Sequence, residues 1–283
     1  MSQFFQTIPT MNGNLKVAQS ALYATNSGIF YDGTSACLID PGLLPLEIMS
    51  IINFLETQHL KTEYILLTHS HWDHIFGPEF FPTARVIAHN QFCTELSGEG
   101  IERTLNRIQA FDRENQVRRV RSFRIPTPDI TFDESLTIQM GDLALNMIYS
   151  PGHSPDQCVV YERTSKILWA ADMLSDLEIP FIYDSLKSYQ RTLARLNKLE
   201  ISHLIPGHGQ DTLEVKEIQT RFTEDIAYLD ELETRVMDAI QAGKSPEETK
   251  QDCAGMRFKH QDDNAKPHQT NIETAYKELK PGK

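Results

Sequence analysis

Residues 66–77 read LLTHSHWDHIFG, which puts His69, His71, Asp73 and His74 inside six positions. On a helix, residues two apart point to roughly opposite sides, so His69 and His71 would not converge there. At a strand end, or in the turn leaving it, they point the same way. The preceding EYILLT, residues 63–68, is a short apolar run that predicts a buried strand and places the cluster in the loop after it. Neutral imidazoles and carboxylates are common ligands of divalent metals, and metal binding is the use that justifies crowding them on one loop.

One loop does not complete a metal site. The missing ligands should be His or Asp, again in loops that follow apolar runs. Three places fit: His153 in LALNMIYSPGHSPD, Asp172 in KILWAADMLSD and His208 in HLIPGHGQ. Gly152 and Gly207 each precede a histidine, and glycine lets a backbone turn sharply off a strand.

Together with Asp40 in LIDPG, these segments stand in an order that resembles the metallo-β-lactamase fold superfamily, most of all its glyoxalase II-type hydrolases. The resemblance spans about residues 15–210. It implies an α/β fold, a four-layer αββα sandwich, over a catalytic part set at residues 1–212. It assigns His69, His71 and His153 to a first metal, Asp73, His74 and His208 to a second, and Asp172 to a bridge between them. Asp40 is expected to support the site through a ligand's other hydrogen-bonding atom.

The implied reaction is hydrolysis of an ester, thioester or lactone of a small molecule. Two divalent ions ~3.5–4 Å apart hold a hydroxide between them and offset charge on the tetrahedral oxygen. Asp73 would orient that hydroxide and move its proton. Zinc is the first expectation, and the thiolate-free ligand set also accommodates iron or manganese. The chain departs from the commonest zinc β-lactamases, which place Cys where Asp172 stands, and from flavodiiron proteins, which place Glu where His71 stands. It ends in HQTNIETAYKELKPGK, where glyoxalase II carries Asn-Pro-Phe-Leu-Arg. A mononuclear-iron sulfur dioxygenase and a nuclease of the same fold are the alternative readings.

Composition narrows these. A formal net charge of −12 over 283 residues argues against gripping a nucleic acid, because phosphate affinity rests on Lys and Arg. No apolar run reaches the ~18 residues of a membrane span, and MSQFFQTIPTMNG is not a secretory signal. Cys37, Cys93, Cys158 and Cys253 lack pairing spacings, which predicts a reduced, cytoplasmic setting.

The elements that must carry these residues follow from periodicity. Residues 15–39 predict two or three strands, and ARVIAH, SLTIQM, LALNMIY, CVVYE, KILWA and HLIPGH predict one each. PLEIMSIINFLETQHL opens with Pro45 and spaces Leu46, Met49, Ile52 and Leu55 by three, which predicts an amphipathic helix. SLKSYQRTLARLNKL predicts a helix capped by Ser185. Residues 213–283 predict a helical extension, with Gly243 as a stop and Ser245 and Glu248 as a capping box. That extension packs on the sandwich, or lines the cleft, or makes a homodimer contact. His260 and His268 lie in polar, breaker-rich sequence and are expected at the surface.

One stretch runs against the acidic background. Residues 101–124 carry Arg103, Arg107, Arg113, Arg118, Arg119, Arg121 and Arg124. They form either a solvated helix face or an anion clamp at the cleft, with Arg103 and Arg107 one turn apart on one face.

Overall fold

The computed structural model describes residues 5–119 and 121–280. The first half contains β1 Phe5–Thr10, β2 Gly13–Gln19, β3 Asn26–Tyr31, β4 Ser35–Ile39, α1 Pro45–Thr57, β5 Lys61–Leu66, β6 Arg85–His89, α2 Phe92–Glu95, α3 Glu99–Glu114 and β7 Ile130–Phe132. These strands form one seven-stranded sheet in chain order, antiparallel through β4 and parallel from β4 to β7. The second half contains β8 Ser135–Met140, β9 Leu143–Tyr149, β10 Cys158–Glu162, β11 Ile167–Trp169, α4 Leu186–Leu196 and β12 His203–Ile205. It repeats the plan in a five-stranded sheet, with antiparallel hairpins followed by a parallel β11–β12 pair. Then come α5 Val215–Gln241, α6 Pro246–Cys253 and α7 Ala265–Leu279.

Alternation along the strands builds the layers. Cys37 and Ile39 of β4 enter a cluster between the two sheets with Val160, Ile167 and Trp169, while Leu38 faces the other way onto Ile48 and Ile51 of α1. On the far side, Val159, Leu168 and Leu204 pack against Tyr189 and Leu193 of α4 and against Phe222, Leu229 and Ile272 of the last helices. The result is the expected αββα sandwich, with the C-terminal helices sharing the hydrophobic cluster of the second sheet. Among the described residues no helix is long and apolar enough to cross a membrane.

Several expectations are corrected. The helix α1 buries Ile48, Ile51 and Leu55, whereas Leu46 and Met49 are 80% and 53% exposed. Glu47 is buried instead, because its carboxylate accepts from Ser20 Oγ and from the Ala21, Leu43 and Leu44 amides. The Arg-rich stretch is helical only to Glu114. His268 is buried, with Nδ1 2.8 Å from Tyr228 Oη; His260 is exposed as expected. The strands β1 and β7 were not anticipated. The caps on α4 and α6 form as predicted: Ser185 accepts from Ser188 N, and Ser245 and Glu248 cap each other's backbone.

Candidate metal centre

Every nominated metal ligand, and Asp40 with them, follows the C-terminal end of a strand, whereas Arg103 and Arg107 lie on α3. Asp40 follows β4, the 69–74 cluster β5, His153 β9, Asp172 β11 and His208 β12. Within each sheet these strands run in one direction, so their loops meet at one edge. Backbone bonds tie the two sheets together there, from Cys158 N to Thr68 O (2.8 Å) and from Asn26 N to Gly207 O (2.7 Å). Gly152 makes its turn at φ +134°. Gly207 serves a different purpose from the one anticipated: a Cβ there would lie closer to Asp172 Oδ1 than the 3.0 Å that real Cβ atoms keep.

The structure brings all seven nominated ligands together. His69, His71, His153 and Asp172 offer atoms within 4.8 Å of one another, as do Asp73, His74 and His208. Asp172 lies against both groups: Oδ2 is 3.5 Å from His69 Nε2, 3.3 Å from His153 Nε2 and 3.5 Å from His208 Nε2, while Oδ1 is 3.2 Å from His74 Nε2. Asp73 Oδ2 lies 3.4 Å from His208 Nε2.

The outward nitrogens fix the tautomers. His74 Nδ1 donates to Asp40 Oδ2 (2.9 Å), His153 Nδ1 to Phe181 O (3.0 Å) and His208 Nδ1 to Tyr23 O (2.9 Å). The Thr68 hydroxyl donates to Asp40 Oδ2 (2.6 Å), so its oxygen accepts from His69 Nδ1 (3.0 Å). Four imidazoles therefore spend their N–H outward and turn Nε2 lone pairs inward. Those nitrogens crowd: His74 Nε2 to His208 Nε2 is 3.3 Å, and His71 Nδ1 is 3.0 Å from His69 Nε2 and 2.9 Å from His153 Nε2. Asp172 Oδ1 is buried without a hydrogen bond of its own. Converging acceptors of this kind need a positive species among them, either added protons or cations, and a divalent ion fits this set of nitrogen and carboxylate donors.

The electrostatics show the same demand. Burial pulls His69 down to about 3 and takes His71 and His153 the same way. Burial also opposes charge on His74 and His208, but there the carboxylates prevail. Asp172 and Asp73 hold His74 well above its usual range, and Asp172 and Glu178 lead in raising His208 to about 10. Burial would raise Asp172, yet His74, His208 and His69 hold it well below the usual carboxylate range.

A cleft of about 410 Å³ opens onto the centre, lined by Tyr23, Trp72, Arg107, Glu178, Phe181 and Tyr183 beside the nominated residues. Sequence reasoning missed all of these except Arg107. Only Trp72 had a local signal, since it lies inside the histidine cluster. Burial raises the Glu178 carboxyl to about 7. Arg107 stacks over Trp72 at 4.8 Å and reaches Tyr23 Oη at 3.4 Å. An adjoining cavity of about 370 Å³ shares Trp72, Arg107 and Tyr183 and takes in Arg103, Thr104, Ser70 and Ser154. Elsewhere in the insert, Arg119 is held by Asp112 and Arg121 by Glu79. Asp156, also missed, is buried and accepts from Ser154 Oγ (2.8 Å).

Residues 21–208 match the metallo-beta-lactamase superfamily. Acyl-coenzyme A thioesterase MBLAC2 of Gallus gallus is 27% identical over 152 residues, covering 50% of this chain and 54% of that protein. Hydroxyacylglutathione hydrolase of Francisella tularensis subsp. novicida (strain U112) is 27% identical over 173 residues, covering 56% of this chain and 54% of that protein. The chain thus spans about half the length of each of these relatives. A double mutant of the sec-alkyl sulfatase PisA1 superposes with a TM-score of 0.73 at 15% identity, over 98% of this chain and 50% of that one. That overlap takes in the C-terminal helices as well as the sandwich. On the family match, with the fold and site geometry in agreement, the chain belongs to the metallo-beta-lactamase superfamily.

Proposed function

We propose that this protein is a metal-dependent hydrolase that cleaves an ester, thioester or lactone of a small acidic molecule at a two-ion centre. His69, His71 and His153 would hold one ion, Asp73, His74 and His208 the other, and Asp172 would face both. Zinc suits these donors first. The boundary between a catalytic part, residues 1–212, and a helical extension, residues 213–283, belongs to the same reading. The observation that carries it is the convergence of four inward Nε2 atoms whose outer N–H groups are already committed to Thr68, Asp40, Phe181 and Tyr23. The thioesterase and the hydroxyacylglutathione hydrolase among the relatives support hydrolysis at an acyl carbon.

Bound divalent ions would supply a water acidified toward pKa ~7 and would stabilise negative charge developing on the carbonyl oxygen. The chain's own residues do the rest. Asp73 lines the cleft 3.4 Å from His208 and accepts the proton of the attacking water. Tyr23, Trp72, Phe181 and Tyr183 wall the cleft, hold the acyl and leaving groups and exclude bulk water. Arg107, braced on Trp72 and 3.6 Å from Glu114, offers its remaining N–H groups to a substrate carboxylate, and Arg103, 3.8 Å from Glu99, reaches the adjoining cavity.

The test pairs elemental analysis of gently purified protein with a panel of ester, thioester and lactone substrates, each in an acidic and a neutral version. Turnover of an acidic acyl substrate that is lost on chelation and restored by zinc supports the reading. Metal-independent turnover, or none across the panel with both ions bound, rejects it.

A further inference from the structure

The segment between β11 and α4 supplies much of the cleft, yet it has no regular secondary structure. It carries Asp172, Glu178, Phe181 and Tyr183. Buried irregular backbone needs hydrogen-bond partners, and here several come from α5, from α7 and from the loop between α6 and α7. Arg221 of α5 donates to Leu174 O (3.2 Å), and Lys259 donates to Ser175 O (2.8 Å). Asn264 donates to Leu177 O (2.9 Å). Asn271 of α7 makes the most pointed contact: Nδ2 donates to Pro180 O (2.6 Å) and Oδ1 accepts from Ile182 N (2.8 Å). Its amide is 1% exposed and also donates to Tyr228 Oη (2.9 Å).

Asn271 thus grips both peptide groups that flank Phe181. The Phe181 carbonyl accepts from His153 Nδ1 (3.0 Å), and Tyr183 N donates to His153 O (3.0 Å). A side chain on the last helix therefore fixes the acceptor that sets the ring angle and tautomer of His153. We propose that Asn271 is a positioning residue for His153, locking the 180–182 backbone so that His153 Nε2 stays aimed into the centre. The proposal rests on the reading of His153 as a metal ligand. It gives the C-terminal helices a role at the site beyond packing, although Asn271 itself does not line the cleft.

The alternative is that Asn271 only stabilises the fold, and the two roles differ in which ion they affect. His74 and His208 take their outer bonds from Asp40 and Tyr23, not from this segment. Loss of the clamp should therefore weaken one zinc equivalent and spare the other. The experiment titrates zinc into the full-length protein against a chromophoric chelator and follows amide exchange at Ile182 and Tyr183. Asn271→Leu should bind one equivalent ~10–100-fold more weakly, the range seen on losing a group that orients a ligand, and keep the other. Both amides should exchange faster. Asn271→Asp keeps an acceptor for Ile182 N but loses the donor to Pro180 O, and should fall between wild type and Asn271→Leu; it carries the test if the leucine variant does not fold. Tyr276→Phe removes a bond from the same helix to Lys244 O, outside the segment, and should leave both equivalents unchanged. Wild-type affinity at both sites in the Asn271 variants overturns the proposal, as does equal weakening of both equivalents. His153→Ala separates the two levels: if it retains both equivalents, the ligand reading has failed, whereas loss of one there with none in Asn271→Leu defeats only the clamp.

Discussion

Asp40 offers the sharpest perturbation, because it orients histidines on both sides of the centre. Its carboxylate is 1% exposed and accepts three times: from His74 Nδ1 at 2.9 Å, Thr68 Oγ1 at 2.6 Å and Thr68 N at 2.9 Å. Through the Thr68 hydroxyl it also keeps the His69 ring proton on Nδ1. The residue sits at φ +42°, a conformation asparagine tolerates, so Asp40→Asn tests chemistry with little backbone strain. An asparagine oxygen can still accept from Thr68 N, but its NH2 would face His74 Nδ1 and the Thr68 hydroxyl as a donor. His74 would then turn its lone pair outward and its proton inward, where a metal cannot use it. Loss of an orienting partner costs ~10–100-fold in metal affinity, or ~1.4–2.7 kcal/mol, and here both ions should suffer. Thr68→Val removes the hydroxyl that links Asp40 to His69 and leaves the bond from His74 to Asp40, so it should weaken one ion. The assay is zinc titration by calorimetry or chelator competition, with circular dichroism as a check on folding. Wild-type affinity for both ions in Asp40→Asn, or equal weakening of both in Thr68→Val, would refute the tautomer argument.

Three further outcomes are expected. Asp73→Asn should retain shape but lower kcat by at least ~10²-fold, the scale of losing a positioned proton acceptor, and near-normal turnover with full metal would remove Asp73 from the mechanism. Replacing Arg103 and Arg107 by glutamine should cost an acidic substrate roughly 1.5–3 kcal/mol, about ten- to a hundredfold in kcat/KM, and leave its neutral analogue alone. That preference should weaken with added salt, and equal losses for both substrates would return the arginines to a solvated role. Burial raises Asp156 to about 6, so its share of stability is present at low pH and lost as pH rises through 6. Asp156→Asn should flatten the fall in Tm between pH ~4 and 6 relative to wild type, and parallel Tm curves would contradict this.

Much of the candidate site was legible because each nominated metal ligand lies within a few positions of the apolar strand that carries it. The pattern of apolar run, then His or Asp, is local, and the two sheets bring those strand ends together. What depended on distant partners was not legible. A spacing of three along residues 46–55 fits more than one helix face, and α1 turned the way that let Glu47 satisfy four donors from neighbouring loops. The local sequence of His268 predicts a surface residue, but Tyr228, 40 positions away, packs against it. Tyr23, Glu178, Phe181 and Tyr183 carry no motif, because they reach the cleft on segments shaped by contacts with other parts of the chain. Gly207 fits a turn residue by its local sequence, but the space it leaves for Asp172 is a property of two loops at once.

The most direct test of the two-ion centre is an anomalous difference map from crystals of the full chain grown with zinc. Two peaks are expected in the cleft. The first should lie ~2.0–2.1 Å from His69 Nε2, His71 Nδ1 and His153 Nε2, and the second at similar distances from His74 Nε2 and His208 Nε2 with an Asp73 oxygen near it. Asp172 should stand between them. A single peak under saturating zinc with full activity, or peaks away from these seven side chains, would contradict it.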